Sequence, residues 1–573
     1  MTTQTANDPP LSATLQITSL LKHKKTKKAV DEAEAALRRW PQSPRLWNLL
    51  AEASLLAGDP VLAWEATMAA LEFDPGSTNA LQRKPKIASL LRPAARSAVQ
   101  AVGVGGDEGS RLEAAYAAVT AADDAGALDD DVKGAALAVL LRLARAEEAD
   151  RRWPLATIGR ELVAVGDHRS MIYQLPRVRS AEDRRELLAQ HEAWGEEKVR
   201  EAFRSPIHHI PQRTGGPFRV GLLSSDLRIH VVLAYADPLI EHARDNDVDL
   251  YCYSTHPGPP DDAQRAITDV VAGYRHLPSA STVELAQTIA DDALDALVEI
   301  GGSTNHNRAE AMAYRLAPVQ ASWLGYPHSV GLRTIDYFIC DPYLAPTEPD
   351  LLTERLLELP DSWLSFPPGF FREQPPVASE LPEVRKGHIT FGTANSTYKY
   401  SVRTLHAWAR VLAAVPDSHF LIVRPEGGSK LFRNTICEHF AREGVAADRI
   451  EFAVTRGGHL PYYGEIDISL DTLPQTGGVT TCESLWMGVP VVSLAGEAVF
   501  ERLSHSILIN AGLADLSVKD IEGYVEAAVN LANDRDRRQM WRANGRDIIR
   551  ASPLGDVETF TANFYAALRQ ASK

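Results

Sequence analysis

The sequence predicts two α/β halves, each a parallel sheet covered by helices on both faces, behind an all-α, repeat-like N-terminal segment. Three observations predict it. From Phe218 onward, short β-branched and aliphatic runs alternate with helical stretches. A proline-rich stretch, from Phe366-Pro367-Pro368-Gly369 through Pro375-Pro376 to Pro382, divides that alternation into two series. Near the N-terminus, Ala29, Ala36 and Pro41 recur as Ala63, Ala70 and Pro75, a spacing of 34 residues.

The N-terminal repeat comes first in the chain. Trp47, Leu50, Ala51, Gly58, Ala63, Ala70 and Pro75 follow the small/large register of a tetratricopeptide unit. Small alanines let paired helices approach closely, and the prolines end the second helix of each pair. A further step of 34 lands on Ser97, Val104 and Gly109, so the register stops after two units. Two units are too few to stand alone, so other helices must support them. From about residue 86 to 205 the chain stays rich in Ala, Leu and Arg. Gly103–Asp107 and Asp123–Gly126 punctuate it as loops.

At Pro211–Pro217 the character changes. Phe218–Ser224, Val248–Ser254, Ala296–Ile300 and Val319–Leu324 read as strands of the first half. His388–Thr393, Phe420–Val423, Arg449–Ala453, Ile466–Leu470 and Val491–Leu494 read as strands of the second. Helical pattern closes the chain from about 519 to 570. Two such halves imply a cleft, with ligands beyond the carboxyl ends of the strands.

Composition bounds the function classes. With 60 Lys+Arg against 75 Asp+Glu, the net charge of −15 argues against a nucleic-acid partner, which needs a basic face. A hydrophobic fraction of 45% supports folded cores. No run of apolar residues is long enough for a membrane span, and Met1-Thr2-Thr3-Gln4-Thr5 opens no signal peptide. Cys252, Cys340, Cys437 and Cys482 have no paired spacing for zinc or a disulfide framework. These features predict a cytoplasmic protein with no membrane partner.

The segment Leu470–Pro490 carries the most chemistry. A buried strand runs into a Pro/Gly turn, and a helix opens at Val479–Thr481. Gly477 and Gly478 permit close backbone approach, Thr480 and Thr481 add hydroxyls, and a helix N-terminus offers free N–H groups to an anion. That arrangement reads as a diphosphate cradle. Glu483 has two readings: the acid of a Thr480-x-x-Glu483 capping box, or a carboxylate for ribose hydroxyls. Cys482 reads as a buried spacer.

Leu470–Pro490 resembles the nucleotide-sugar glycosyltransferases that include O-GlcNAc transferase and its bacterial relatives. So do Leu188–Trp194, Val220–His230, Arg315–Pro327, Asn395-Ser396-Thr397-Tyr398-Lys399 and His459. The resemblance covers about 185–555. It implies tetratricopeptide repeats followed by a GT-B region of two Rossmann-like halves. The expected divisions are two repeats over 1–85, a helical connector over 86–210, an N-terminal catalytic half over 211–375 and a C-terminal half with closing helices over 376–573. It implies that Lys399 neutralises the leaving diphosphate and that His230 sits at the reacting centre. Arg456 and His459 would surround base and ribose. Gly477, Gly478, Val479, Thr480, Thr481 and Glu483 complete the donor site, with no metal ion. A structural loop histidine at 230 and a solvated lysine at 399 are the bland alternatives.

Two departures stand out. Gly478 occupies a position where family members with O-GlcNAc activity carry His, and His328-Ser329-Val330-Gly331 replaces a common Gly-Thr-rich turn. The expected activity is inverting transfer of a sugar from a nucleotide donor, UDP-GlcNAc by family default, to Ser/Thr hydroxyls of acceptor proteins. The N-terminal helices would bind the acceptor, and self-association is open. The alternatives are an Asn-directed N-glucosyltransferase, a flagellin-type transferase using another nucleotide sugar, a nucleotide-sugar epimerase, and a scaffold with an inactive transferase region.

Overall fold

The computed structural model describes residues 9, 11–103, 106–208, 215–367 and 375–573. Outside them lie Met1–Thr5, Val104–Gly105 of the first expected loop, 211–214 of the expected change in character, and 368–374 of the proline-rich stretch. The chain forms two compact units, Met1–Val139 and Leu140–Lys573.

The first unit is a run of helices, each packed on the next: α1 (Leu11–Lys22), α2 (Thr26–Leu37), α3 (Pro44–Ala57), α4 (Pro60–Phe73), α5 (Thr78–Ala101) and α6 (Glu108–Asp124). The repeated alanines do what their size allows. Ala29, Ala36, Ala63 and Ala70 are all buried between neighbouring helices. Pro41 and Pro75 follow the ends of α2 and α4, as the 34-residue register predicts. Starts are marked chemically: Pro44 and Pro60 occupy first positions, and Ser43 and Asp59 accept hydrogen bonds from first-turn N–H groups. Helix α5 runs through Pro85 and Pro93.

In the second unit, a long helix, Ala181–Arg204, starts with a reciprocal Ser180–Asp183 capping box. A Cβ on its Gly195 would lie 1.9 Å from the Gly331 carbonyl oxygen, so helix and loop pack backbone to backbone. Trp194 beside it joins the first half's core with Leu297 and Leu316.

The first sheet contains β1 (Phe218–Ser224), β2 (Val248–Ser254), β3 (Gly273–His276), β4 (Ala296–Glu299), β5 (Val319–Ser322), β6 (Tyr337–Cys340) and β7 (Arg355–Glu358). Its order is β3-β2-β1-β4-β5-β6-β7 and every pairing is parallel. The second contains β8 (Thr390–Thr393), β9 (His419–Val423), β10 (Ile450–Ala453), β11 (Ile468–Leu470), β12 (Val491–Leu494) and β13 (Ser517–Val518), ordered β10-β9-β8-β11-β12-β13 and again parallel. The central strands β4, β8 and β12 are buried along their length, and β1 from Val220 onward, as a sheet covered on both faces requires. Both orders reverse direction beside the first strand of the half, at β1/β4 and β8/β11. That switch point is where loops diverge and leave a crevice. The last helix, Val557–Ala571, returns to the first half: Tyr565 Oη donates to the Leu239 carbonyl at 2.6 Å, and Phe564 meets Trp323 edge to face.

Candidate active site

Loops from the carboxyl ends of both sheets meet around a cleft of about 440 Å³. The first half supplies Asp226 and His230 after β1, Asn305 and His306 after β4, and Gly325 and Pro327 after β5. The second supplies Tyr398 and Lys399 after β8, and Gln475, Gly478 and Val479 after β11. Four expected site residues, His230, Lys399, Gly478 and Val479, therefore line one cavity.

The β11 loop is organised by Asp471, which is 1% exposed. Its Oδ1 accepts from Asn395 Nδ2 (3.1 Å), Thr472 N (2.9 Å) and Gly477 N (2.8 Å), and its Oδ2 accepts from Ser493 Oγ (2.6 Å). A buried carboxylate is tolerated when hydrogen bonds saturate it. Here it ties the ends of β8 and β11 to the glycine turn. A Cβ on Gly477 would lie 2.5 Å from Thr481 Oγ1 and 2.8 Å from Thr480 Oγ1. Gly478 differs, since its Cβ would meet only Leu503 Cδ1, at 3.8 Å.

The helix Val479–Trp486 opens at Gly478 with no side-chain cap. This overturns the capping-box reading of Glu483. Instead Glu483 Oε2 accepts from His459 Nε2 at 2.9 Å, so the two residues expected at the nucleoside are joined. Thr481 departs from its expected role. Ser504 Oγ donates to the Gly477 carbonyl, so the Thr481 hydroxyl donates to Ser504 Oγ (2.7 Å), and its N–H returns to Gly478 O. Thr480 likewise donates its hydroxyl to Asn395 Oδ1 at 2.8 Å. What the turn presents to an anion is main-chain N–H, from Val479 and Thr480, at the positive end of the helix.

Lys399 follows β8 on the short turn Thr397–Lys399. Its Nζ donates to the Thr476 carbonyl at 2.9 Å. Burial pushes its ammonium down to about 8, opposed by Asp471 and reinforced by Arg424. His230 caps the helix Val231–Glu241, with Nδ1 accepting from Val232 N at 3.2 Å. Burial also lowers its pKa, against the pull of Asp226, whose Oδ1 lies 3.8 Å from Nδ1. The neutral ring therefore carries its proton on Nε2.

Arg456 lies exposed on the loop after β10 and does not line the cleft. His328 is buried, edge-on to His191 and Phe500, rather than in the cleft wall. Burial raises the Cys482 thiol to about 12, which suits a spacer. Sequence reasoning missed Asp226, Tyr398 and Gln475 as cleft residues. Asp226 sits within the quoted Val220–His230 motif, Tyr398 within Asn395–Lys399 and Gln475 within Leu470–Pro490, though residue type alone singles out none of them. Among the described residues, the grouping able to hold a cation is His388, His419 and Glu451, at the amino ends of β8, β9 and β10, opposite the strand ends that form the cleft.

The profile of glycosyl transferase family 41 matches residues 158–365 and 379–564. The "Probable UDP-N-acetylglucosamine–peptide N-acetylglucosaminyltransferase SPINDLY" of Petunia hybrida is 35% identical over 300 residues, 52% of this chain and 32% of that protein. Its counterpart in Oryza sativa subsp. japonica is 32% identical over 393 residues, 67% and 42% of the two chains. The chain thus spans well under half the length of these relatives. A mutant of the Thermobaculum terrenum O-GlcNAc transferase shares the fold with a TM-score of 0.66, at 24% identity over 98% of each chain.

Proposed function

The chain belongs to glycosyl transferase family 41, and on that premise we propose that it moves N-acetylglucosamine from a UDP-linked donor to Ser/Thr hydroxyls of acceptor proteins. The observation that carries the reading is Lys399, a cation in the cleft wall tied by its Nζ to the Thr476 carbonyl, on the loop that leads into the helix N-terminus at Gly478. The relatives' names supply the donor and acceptor classes.

In this reading the acceptor hydroxyl oxygen attacks the anomeric carbon as the bond to the diphosphate breaks, the bonding pair leaves with the diphosphate, and the hydroxyl proton passes to the departing phosphate or to solvent. Negative charge grows on the departing β-phosphate. A preorganised ammonium and helix N-terminus stabilise that charge more than they stabilise the bound donor, which is what accelerates the step. The Lys399 amine leaves the Thr476 carbonyl for the phosphate at little cost, since one hydrogen bond replaces another. Glu483, oriented by His459, receives the ribose hydroxyls. His230 offers Nε2–H to the acceptor side of the cleft, with Asp226 beside it. In this reading the cation and helix end take the role that a metal ion fills elsewhere, so EDTA should leave the rate unchanged. Arg456 would reach the nucleoside only by folding over from its exposed loop. The N-terminal helices, as stacked repeat surfaces, would bind acceptor protein in the cytoplasm.

The test is thermal denaturation against UDP, GDP and CMP, followed by sugar transfer from UDP-GlcNAc. A ligand at a hundred times its Kd adds about 2.7 kcal/mol. UDP alone should raise Tm, and mass spectrometry should find the sugar on Ser or Thr. A rise with GDP or CMP instead, or sugar on Asn, would replace this reading.

A further inference from the structure

A second, larger groove opens from the same histidine. It encloses about 730 Å³ on the first half, between the helices Val231–Glu241 and Asp262–Val270. It shares Arg228, His230 and Val231 with the cleft, so the two are continuous. Its walls are aliphatic: Leu233, Ile240 and Ile267 form the floor, and Ile229 and Val270 stand 67% and 46% exposed at the rim.

Two carboxylates interrupt that apolar surface. Asp237 and Glu241 face the groove one helical turn apart, and neither takes part in an ion pair among the described residues. Burial, and then the neighbouring Glu241, raises the Asp237 carboxyl to about 6. Arg228 at the cleft end and Arg244 at the far end bracket the pair. An aliphatic trough with unpaired acids partway along it is complementary to an extended peptide carrying an apolar side chain and then a cation.

We infer that this groove binds the acceptor polypeptide beside the modified residue, taking an aliphatic side chain next to His230 and a Lys or Arg against Asp237 and Glu241. This rests on the transferase reading above. The helix rises 1.5 Å per residue, which places the two acids about 10 and 16 Å from His230. An extended chain covers those distances in about three to five residues. The groove therefore fixes a register: hydroxyl at the cleft, aliphatic residue beside it, basic residue about three to five positions away.

The experiment uses the full chain, UDP-GlcNAc and a library of Ser/Thr peptides with randomised flanks. Wild type should enrich the aliphatic and basic positions in that register. Glu241→Lys, an exposed charge reversal outside the cleft, should exchange the basic preference for Asp or Glu. Ala266→Trp, filling the groove from an exposed position, should raise KM for preferred peptides at least tenfold. Both variants should hydrolyse donor and bind UDP as wild type does. Donor consumption by wild type with the same peptide profile in all three proteins overturns the groove proposal and leaves the transferase reading standing. So does a change in oligomeric mass of Ala266→Trp without a change in profile, which would make the groove a contact between copies. Failure of wild type to bind UDP or consume donor overturns the transferase reading itself, and the groove proposal with it.

Discussion

The Lys399 ammonium and the Thr476 carbonyl lie 2.9 Å apart, joining the turn after β8 to the glycine loop after β11. The bond preorganises a cation where the diphosphate would leave. Its removal should act on the chemical step, so Lys399→Ala should lower kcat by about a hundredfold to a thousandfold, the usual cost of one such donor.

A distinct pH signature follows. The Lys399 pKa is lowered to about 8, so the amine is charged below that pH and neutral above it. In the free enzyme kcat/KM should therefore fall as pH rises through about 8. Lys399→Arg keeps its charge at any working pH. Whatever its absolute rate, its profile should stay flat across that limb. For stability the sign is opposite: between about 8 and the ordinary lysine value of 10.5 the unfolded chain binds the extra proton, so the folded state gains stability as pH rises. An alkaline limb unchanged in Lys399→Arg would remove Lys399 from the chemistry.

His230 makes a prediction that separates two roles. Because Nδ1 accepts from the Val232 N–H, the neutral ring presents Nε2–H to the cleft and acts there as a donor. Asn can supply both a cap and a donor. His230→Asn should hold kcat within about tenfold of wild type, whereas His230→Ala should lose activity and about 1 kcal/mol of stability with the cap. A general base would behave differently: both substitutions would cost about a hundredfold to ten-thousandfold. Rates and melting temperatures of the pair decide between them.

What was legible in the sequence follows the range of the interactions. β1, β2 and β12 match their predicted bounds, because aliphatic, β-branched and aromatic residues dominate each run and turn residues flank it. β3, β7 and β13, which lie at sheet edges and are mostly half-buried or exposed, went unrecognised, as did β6 beside β7. The site divides the same way. Lys399 and the Gly477–Val479 turn are visible as local motifs. The fate of the threonine hydroxyls is not, since Thr480 meets Asn395 from 85 residues away and Thr481 meets Ser504 from 23. Glu483 shows the limit best: its spacing to Thr480 suits a capping box, yet the helix opens two residues earlier, at Gly478, and frees the carboxylate for His459.

The paired glycines should respond unequally to the same added methyl. At Gly477 it would press on two threonine hydroxyls and stand 3.1 Å from Asp471 Oδ1, the acceptor that holds the loop. Gly477→Ala should cost about 1–3 kcal/mol of stability, the range for overpacking, and weaken UDP binding with it. At Gly478 the space is open, the added methyl meeting only Leu503 Cδ1 at 3.8 Å. Gly478→Ala should therefore cost less stability than Gly477→Ala, since the added methyl presses on no packed atom. Equal loss of stability in both would contradict the loop geometry.

Glu483 and His459 test the proposed nucleoside end of the site. Their 2.9 Å bond leaves Glu483 8% and His459 30% exposed, so the carboxylate is aimed by a partner that itself remains reachable. A hydrogen bond to a charged group is worth about 1.5–3 kcal/mol, and 1.4 kcal/mol is tenfold in affinity. Glu483→Gln should therefore raise the Kd of UDP by about tenfold to a hundredfold in calorimetry, and His459→Gln somewhat less, through loss of orientation. The double variant should be no weaker than Glu483→Gln alone, because His459 acts through the carboxylate. Inorganic pyrophosphate, which lacks ribose and base, should bind all four proteins alike. Pyrophosphate binding that falls in step with UDP would place Glu483 at the phosphates instead of the ribose.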